Sequence, residues 1–166
     1  MITWIIVLLY VMRCFMLGVS EWHARALKQH GLEELKIETS MKLELICHIY
    51  YLCTIVMTLI VKPSYTMNVV IGLVLITIAY SLWFYIWYIL HETWALRLFK
   101  VPSGMRVTDG VYKFVRHPEY FIVTPLEVLG IMFISQTYFN ILIMIPYVFY
   151  MWFRIKDENA MLKESF

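Results

Sequence analysis

Charged residues are scarce in this chain, and their scarcity excludes an ordinary soluble domain. Aspartate, glutamate, lysine and arginine make up 16% of the 166 residues, whereas soluble domains average about 25%. Apolar residues make up 61%, and the mean hydropathy is +0.70. The net charge of +2 is too small and too scattered for nucleic-acid binding. The composition predicts an integral membrane protein.

The sequence also lacks the motifs of metal sites and of soluble cofactor folds. Cys14, Cys47 and Cys53 lie in apolar runs without a C-x-x-C pair, so neither disulfides nor a thiolate metal site are indicated. The segment His91-Glu92-Thr93-Trp94-Ala95 is not H-E-x-x-H, and no G-x-G-x-x-G, P-loop or G-x-S-x-G motif occurs. We expect no metal. Without repeats or linkers, residues 1–166 are predicted to form a single domain.

Long apolar runs dominate what is present. Their lengths approach the ~20 residues that a helix needs to cross hydrocarbon. The first run has no basic start, so we interpret it as a retained span and not a signal peptide. The last two runs are separated by almost nothing, which predicts a tight helical hairpin. We therefore predict an all-α polytopic protein with five transmembrane helices at about residues 2–19, 43–61, 67–90, 121–135 and 137–153.

Lysine and arginine are distributed unevenly about these spans. They occur in the first connector, in the long loop of residues 91–120 and in the tail: Arg25, Lys28, Lys36, Lys42, Arg97, Lys100, Arg106, Lys113, Arg116, Arg154, Lys156 and Lys163. The opposite side carries only Lys62, once the intramembrane Arg13 is set aside. The positive-inside rule therefore predicts an N-terminus outside and a cytosolic connector, loop and tail.

Two charged residues fall within the predicted spans. Arg13 either snorkels to the interface or is the buried partner of an acidic group. Glu127 is a functional candidate by default, because charge at membrane depth is costly. Pairing between Glu127 and Arg13 would instead be purely structural. The sequence leaves these alternatives open.

The connector of residues 20–42 mixes charges with leucines at rough helical spacing. This pattern predicts either a solvated connector that touches the membrane surface or two surface helices, Glu21–His30 and Leu32–Glu38, broken at Gly31. The third span ends in an aromatic cluster that forms either an interfacial girdle or the lining of a lipid-facing cleft. The cluster consists of Trp83, Phe84, Tyr85, Trp87 and Tyr88.

The stretch Gly110–Tyr120 joins the longest polar segment to the fourth span. Pro118 lacks a backbone N–H and disfavours helix at His117, so it ends one structure and opens the next. The stretch supplies cations, an imidazole and two tyrosines where cytosol meets lipid. In the tail, Arg154 and Glu158 are four residues apart and share a helix face, either as a surface ion pair or as part of a site with the loop.

These residues form an ordered pattern, Gly-x-Tyr-x-x-x-Arg-His-Pro-x-Tyr before the hairpin and Arg-x-x-x-Glu after it. In this chain they are Gly110, Tyr112, Arg116, His117, Pro118, Tyr120, Arg154 and Glu158. The pattern resembles the isoprenylcysteine carboxyl methyltransferase family of membrane methyltransferases, from about Trp94 to Leu162. Sterol reductases of similar architecture share the Arg-His-Pro element alone.

The resemblance implies S-adenosylmethionine in a cytosolic pocket closed by the 91–120 loop and the tail. Arg154 matches the arginine that orients the acceptor, and Arg154 and Glu158 are the catalytic candidates. The positions that match the family's cofactor site are Gly104, Met105, Arg106, Val107, Tyr112, His117, Pro118, Tyr120 and Glu158.

The chain departs from members that act on prenylated cysteine. Those members continue with a further charged tail, whereas this chain stops at Phe166, and Asn159 stands where a second acidic residue is common. Its layout is closer to small bacterial relatives, some of which methylate hydroxyls of lipidic polyketides. The expected function is O-methylation of a carboxylate or hydroxyl on a lipophilic or prenylated acceptor beside membrane lipid. The alternatives are an NADPH-dependent sterol-type reductase and a non-enzymatic membrane scaffold.

Overall fold

The computed structural model of the chain describes residues 1–35, 37–91, 94–99, 110–115 and 117–164, without the side chains of Leu98 and residues 159–164. Nearly all of these residues are helical, as the sequence predicts. The helices are α1 (Ile2–Gln29), α2 (Ile37–Val61), α3 (Met67–Leu90), α4 (Thr124–Ser135) and α5 (Met144–Glu164). A short antiparallel pair joins β1 (Glu34–Leu35) to β2 (Leu98–Phe99).

Four helical segments of the described residues are long and apolar enough to cross a membrane. They are Ile2–Gln29, Ile37–Val61, Met67–Leu90 and Tyr138–Glu158, the last of which includes a 3-10 turn before α5. The chain is therefore an integral membrane protein. The remaining predicted span is a five-residue π-helix followed by the twelve-residue α4. Its length is about 25 Å, against a hydrocarbon core of about 30 Å, so the fifth crossing stays a prediction.

The α4 segment nevertheless runs between the same two ends as its neighbours. At one end Gln136 adopts a left-handed conformation that terminates α4, and its amide donates to the Ser64 carbonyl at 2.8 Å. At the other end the Tyr120 ring lies beside Arg154 of α5. The chain thus reverses at residues 136–137, which confirms the predicted hairpin and brings the loop end to the tail.

Helices α3 and α4 approach each other closely because glycines face each other across their interface. A Cβ atom on Gly72 would lie 2.6 Å from the Gly130 carbonyl oxygen, and one on Gly130 would lie 2.7 Å from Ile76 Cγ1. Small residues allow helix backbones to pack tightly where lipid provides no hydrophobic drive for association. The position of α4, and therefore of residues 117–123 that directly precede it, depends on these two glycines.

The first helix extends well beyond the predicted span. It continues to Gln29 and ends before Gly31, whose φ of +80° suits glycine. The predicted break at Gly31 is confirmed. The predicted surface helix Leu32–Glu38 is wrong, because β1 pairs there with β2 and α2 already begins at Ile37. Local leucine spacing could not reveal a strand partner that lies far along the chain.

Both intramembrane charges are buried and paired. Arg13 Nη1 lies 3.2 Å from Glu127 Oε2, and each side chain is at most 10% exposed. The snorkelling interpretation of Arg13 is therefore wrong. The guanidinium pairs with the Glu127 carboxylate inside the bundle, so the side chain does not extend to the membrane interface. The aromatic cluster of α3 divides: Trp83 is buried against Trp94, whereas Tyr88 is 78% exposed.

Candidate functional site

Four of the predicted site residues meet where the α4 segment begins and α5 passes its end. His117 Nδ1 lies 3.4 Å from Glu158 Oε2. The His117 and Tyr120 rings are stacked, with centroids 5.9 Å apart, and the Arg154 guanidinium lies over the Tyr120 ring at 5.6 Å. Arg154 is only 4% exposed, so the interpretation of Arg154 and Glu158 as a simple surface ion pair is wrong. The hairpin turns Arg154 inward.

Pro118 produces this arrangement locally. Its side chain is fully buried, and its φ of −64° and ψ of −30° already match a helix. The His117 carbonyl accepts hydrogen bonds from the N–H groups of Tyr120 and Phe121 at 3.2 and 3.1 Å. One turn therefore separates His117 from Tyr120, and their rings stack on the same side of the segment.

The Arg154 guanidinium is held by backbone and side-chain oxygens from two other parts of the chain. Nη1 donates to Ser40 Oγ of α2 at 2.9 Å, and Nη2 donates to the Leu96 carbonyl. Nε is buried and has no hydrogen-bond partner among the residues that the structure describes. Since an unsatisfied buried donor costs about 1–3 kcal/mol, this N–H is a candidate contact for a bound molecule.

Segment 94–99, which supplies Leu96, is fixed to the end of α1. The Leu96 N–H donates to Ser20 Oγ at 2.8 Å, and His23 Nδ1 donates to the Trp94 carbonyl at 2.9 Å. Arg97 pairs with Glu21 at 2.7 Å. Sequence analysis missed Ser20 and His23, because a serine and a histidine on a polar helix extension carry no motif that marks them.

Glu119 is a further carboxylate of the site that sequence analysis missed. Trp94 Nε1 donates to Glu119 Oε1 at 2.6 Å. Burial raises the pKa of Glu119, and this effect is only partly offset by the Trp94 hydrogen bond and the Arg154 charge. The signal available in the sequence was its place between Pro118 and Tyr120, at the position that the family pattern leaves unspecified.

Tyr112 lies close enough to Glu119 and Glu158 for their charges to act on it. It occupies the 3-10 turn Gly110–Lys113 and packs partly buried against the cluster around Trp83 and Trp94. Burial, followed by the charges of Glu119 and Glu158, raises the pKa of Tyr112. Gly110 has a φ of +64°, which favours glycine, and a Cβ there would lie 2.8 Å from the Tyr85 hydroxyl.

Several predicted site residues cannot be placed relative to this cluster. Gly104, Met105, Arg106 and Val107 lie outside the described residues, as does Arg116. The cytosolic pocket expected from the 91–120 loop and the tail therefore stays a prediction. In the ranges that the structure covers, histidine, cysteine, aspartate and glutamate side chains form no group of three or more that could hold a metal ion.

In the described part of the site, the hydrogen-bonded Arg154 guanidinium lies near two carboxylates and two rings, which belong to Glu119, Glu158, His117 and Tyr120. Arg154 can donate to an oxygen through its buried Nε–H. Glu158, together with the stacked His117 and Tyr120 rings, can attract a positively charged group through charge and cation–π attraction. The site is thus suited to hold an oxygen nucleophile beside a cationic molecule, with α5 leading from it into the membrane.

Comparisons with known proteins agree with the motif pattern. The sequence model of the isoprenylcysteine carboxyl methyltransferase (ICMT) family matches residues 70–164. A protein of Haemophilus influenzae described as an uncharacterized protein is 26% identical, over 93% of this chain and 90% of its own length. No solved structure matches the chain significantly. The match covers most of α3, all of α4 and α5, and every described residue of the site except those of α1 and α2. The chain belongs to the isoprenylcysteine carboxyl methyltransferase family.

Proposed function

We propose that the protein is an S-adenosylmethionine-dependent O-methyltransferase that acts at the cytosolic membrane interface on a carboxylate or hydroxyl of a lipophilic acceptor. Family membership supports the reaction class. The structural observation that carries the proposal is the buried Arg154 Nε–H, unpartnered within the described chain and adjacent to the His117, Tyr120 and Glu158 cluster.

The side chains present fit the chemistry of S-adenosylmethionine, which supplies an electrophilic methyl group on a cationic sulfur. Glu158 Oε2 is buried, and its contact with His117 Nδ1 is as long as 3.4 Å, so it can also accept from an amino group. Tyr120 and His117 offer ring faces, and Tyr112 lies close enough to the same carboxylates for their charges to act on it. These residues would hold the cofactor, together with residues 104–107.

Few catalytic groups are needed for methyl transfer to oxygen. The displacement is in line, so the protein must align the acceptor oxygen with the methyl group and exclude water. Arg154 is suited to the first task because Ser40 and Leu96 prevent its guanidinium from moving. The burial of Arg154 contributes to the second task, the exclusion of water.

The position of Arg154 on α5 suggests how a lipophilic acceptor is accommodated. Arg154 directly follows Trp152 and Phe153, which are 69% and 44% exposed on a helix that can cross the membrane. The guanidinium thus lies at the boundary where apolar side chains face lipid. An acceptor with a polar head and a long apolar tail can contact Arg154 while its tail stays in the bilayer.

Cofactor binding tests the proposal directly. Calorimetry on detergent-solubilised protein should show binding of S-adenosylmethionine and no binding of NADPH. Glu158→Gln and His117→Ala should each weaken binding about tenfold or more, since a charged hydrogen bond contributes about 1.5–3 kcal/mol. Glu38→Gln is the control, because that carboxylate is 89% exposed. Absence of binding to folded protein, or equal affinities in all variants, would refute the proposal.

Methyl transfer gives the second test. Membranes that contain the wild type, Arg154→Ala or the control Arg25→Ala are incubated with methyl-labelled cofactor, and the lipid extracts are compared by mass spectrometry. Arg25 is 73% exposed and should be dispensable. We expect labelled lipid from the wild type and the control, and a strong loss with Arg154→Ala. Equal labelling from Arg154→Ala would contradict its orienting role.

A further inference from the structure

Ser20 and His23 continue the buried face of α1 beyond the predicted membrane span. They are three residues apart, so they lie on the same face of the helix, and both side chains are buried. Polar side chains on a helix that has left the membrane usually face solvent. The contacts that these two side chains make should therefore explain their burial.

Both side chains bind the backbone of segment 94–99. Ser20 Oγ accepts from the Leu96 N–H at 2.8 Å, and His23 Nδ1 donates to the Trp94 carbonyl at 2.9 Å. Residues 94–97 belong to no helix or strand, so no regular ladder of backbone hydrogen bonds fixes this part of the segment. Its position depends on side chains, and α1 supplies two of them.

The same part of the segment binds the arginine of the site. The Leu96 carbonyl accepts from Arg154 Nη2, and Ser40 Oγ accepts from Arg154 Nη1 at 2.9 Å. Because a guanidinium is planar and rigid, two fixed nitrogens and the side-chain stem together set its plane and the direction of its Nε–H. The direction in which Arg154 donates therefore depends on the position of the Leu96 backbone.

We infer that Ser20 and His23 are positioning residues for methyl transfer, which hold segment 94–99 so that the Leu96 carbonyl orients Arg154. This inference rests on the proposed function and adds to it a contribution from α1. The two residues act through the backbone and are not catalytic residues themselves. The matched family region begins at residue 70, so family membership assigns no role to either of them.

A displaced guanidinium should slow methyl transfer more than it weakens cofactor binding. In-line displacement requires the acceptor oxygen to be aligned with the methyl group, and small errors of alignment are costly. The described residues that would hold the cofactor include His117 and Tyr120, at the start of the α4 segment, and Glu158 of α5. They are not part of segment 94–99, so cofactor affinity should change little when this segment loosens.

Membrane assays give the catalytic test. Membranes with equal amounts of wild type, Ser20→Ala, His23→Ala or His23→Gln are incubated with methyl-labelled S-adenosylmethionine, and initial rates of lipid labelling are measured. At saturating cofactor, both alanine variants should be about fivefold slower, the effect of losing one neutral hydrogen bond. Their KM for the cofactor should be unchanged. His23→Gln should keep most of the rate, because its amide can donate to the Trp94 carbonyl.

Arg25→Ala is the matched control on the same stretch of α1. Arg25 is exposed and pairs with Glu21 of its own helix, so its removal should leave the rate unchanged. Melting temperatures of all variants are measured in detergent, and rates are compared only at temperatures where every variant is folded.

Nuclear magnetic resonance of the arginine side chains follows the orientation itself and needs neither cofactor nor acceptor. The Nη signals of a guanidinium stay separate while rotation about its Nε–Cζ bond is slow. We expect this rotation to be several-fold faster for Arg154 in Ser20→Ala and His23→Ala than in the wild type. Arg13 is the internal control, because it is paired with Glu127 inside the bundle and should not change. Arg154→Lys and Arg13→Lys assign the two sets of signals.

Several results would overturn this role of α1. A wild-type rate, or unchanged rotation of Arg154, in either alanine variant would exclude the residue concerned. Equal acceleration of Arg13 and Arg154 would indicate general loosening of the bundle, and a loss of cofactor affinity as large as the loss of rate would indicate support of the cofactor site. Absence of labelled lipid from the wild type would instead refute the proposed function, while the Arg154 signals would still decide whether α1 holds the guanidinium.

Discussion

Tyr51 donates a 2.6 Å hydrogen bond to the Glu127 carboxylate, whose other oxygen pairs with Arg13. Tyr80 contacts the same Glu127 oxygen at 3.5 Å and also reaches the Leu9 carbonyl. These contacts join α1, α2, α3 and α4 through one carboxylate at membrane depth. Because water cannot replace a lost partner there, the network should contribute to the stability of the bundle through mutual neutralisation of its charges.

We predict that Arg13→Met destabilises the protein by ~3–5 kcal/mol, since it leaves the Glu127 charge buried without its partner. The double variant Arg13→Met with Glu127→Gln should recover most of that loss, because it removes both charges and keeps an acceptor for Tyr51. Unfolding in mixed micelles measures the difference, with the exposed Arg25→Met as control. A single variant as stable as the wild type would show that the pair contributes no net stability.

The glycine contact between α3 and α4 leads to a second prediction. Gly130→Leu should lower stability by at least the ~1–3 kcal/mol typical of overpacking, because even a Cβ there would lie 2.7 Å from Ile76 Cγ1. Gly18→Ala is the matched control, since nothing lies within 4 Å of an added Cβ. It should be neutral or slightly stabilising, as alanine favours helix. Thermal unfolding in detergent measures both variants, and equal melting temperatures would contradict the close approach.

The attachment of segment 94–99 to α1 should be detectable by limited proteolysis. His23→Ala and Ser20→Ala each remove one hydrogen bond to this segment. We expect trypsin to cleave after Arg97 several-fold faster in both variants, because local opening then costs about 1 kcal/mol less. His23→Gln should restore slower cleavage, since its amide can still donate to the Trp94 carbonyl. Unchanged cleavage rates in both alanine variants would show that α1 does not hold the segment.

Glu34 should make the stability of the folded protein depend on pH in the acid range. Burial, the largest influence, would raise the pKa of Glu34, but hydrogen bonds from Lys28 and Arg97 outweigh it and leave the pKa below its ordinary value. The resulting stabilisation is present above the unfolded pKa of about 4.3, and is lost as the pH falls through the lower, folded value. The melting temperature of Glu34→Gln should therefore change less than that of the wild type between neutral pH and pH 3. Glu38→Gln should follow the wild type, and identical curves for all three proteins would contradict the prediction.

Cysteine labelling tests the predicted topology. Ser64 is exposed in the short connection between α2 and α3. This connection is predicted to lie outside, where Lys62 is the only lysine or arginine of the sequence once Arg13 is set aside. In a background without the native cysteines, Ser64→Cys should react with an impermeant maleimide from outside intact cells. A cysteine at Lys156, beside the site, should react only after permeabilisation. The reverse pattern would overturn the orientation.

Much of this protein is determined by its sequence alone. Apolar runs of suitable length and the scarcity of charge predict membrane helices, because the cost of burying polar groups in lipid acts residue by residue. Pro118 predicts where the α4 segment begins, because proline restricts its own backbone and that of its neighbour. The spacing of Tyr112, His117, Tyr120, Arg154 and Glu158 identifies the family, because these residues lie close together along two short segments.

Only the tertiary structure decided which distant residues meet. Arg13 and Glu127 are 114 residues apart, as are Ser40 and Arg154, and Trp94 reaches both His23 and Glu119. No local pattern determines such pairs, since they depend on the rotation and axial shift of each helix against its neighbours. Gly72 and Gly130 set part of that geometry through close backbone packing. The hydrogen bond from Trp94 to Glu119 likewise follows from the packed bundle and not from the motif.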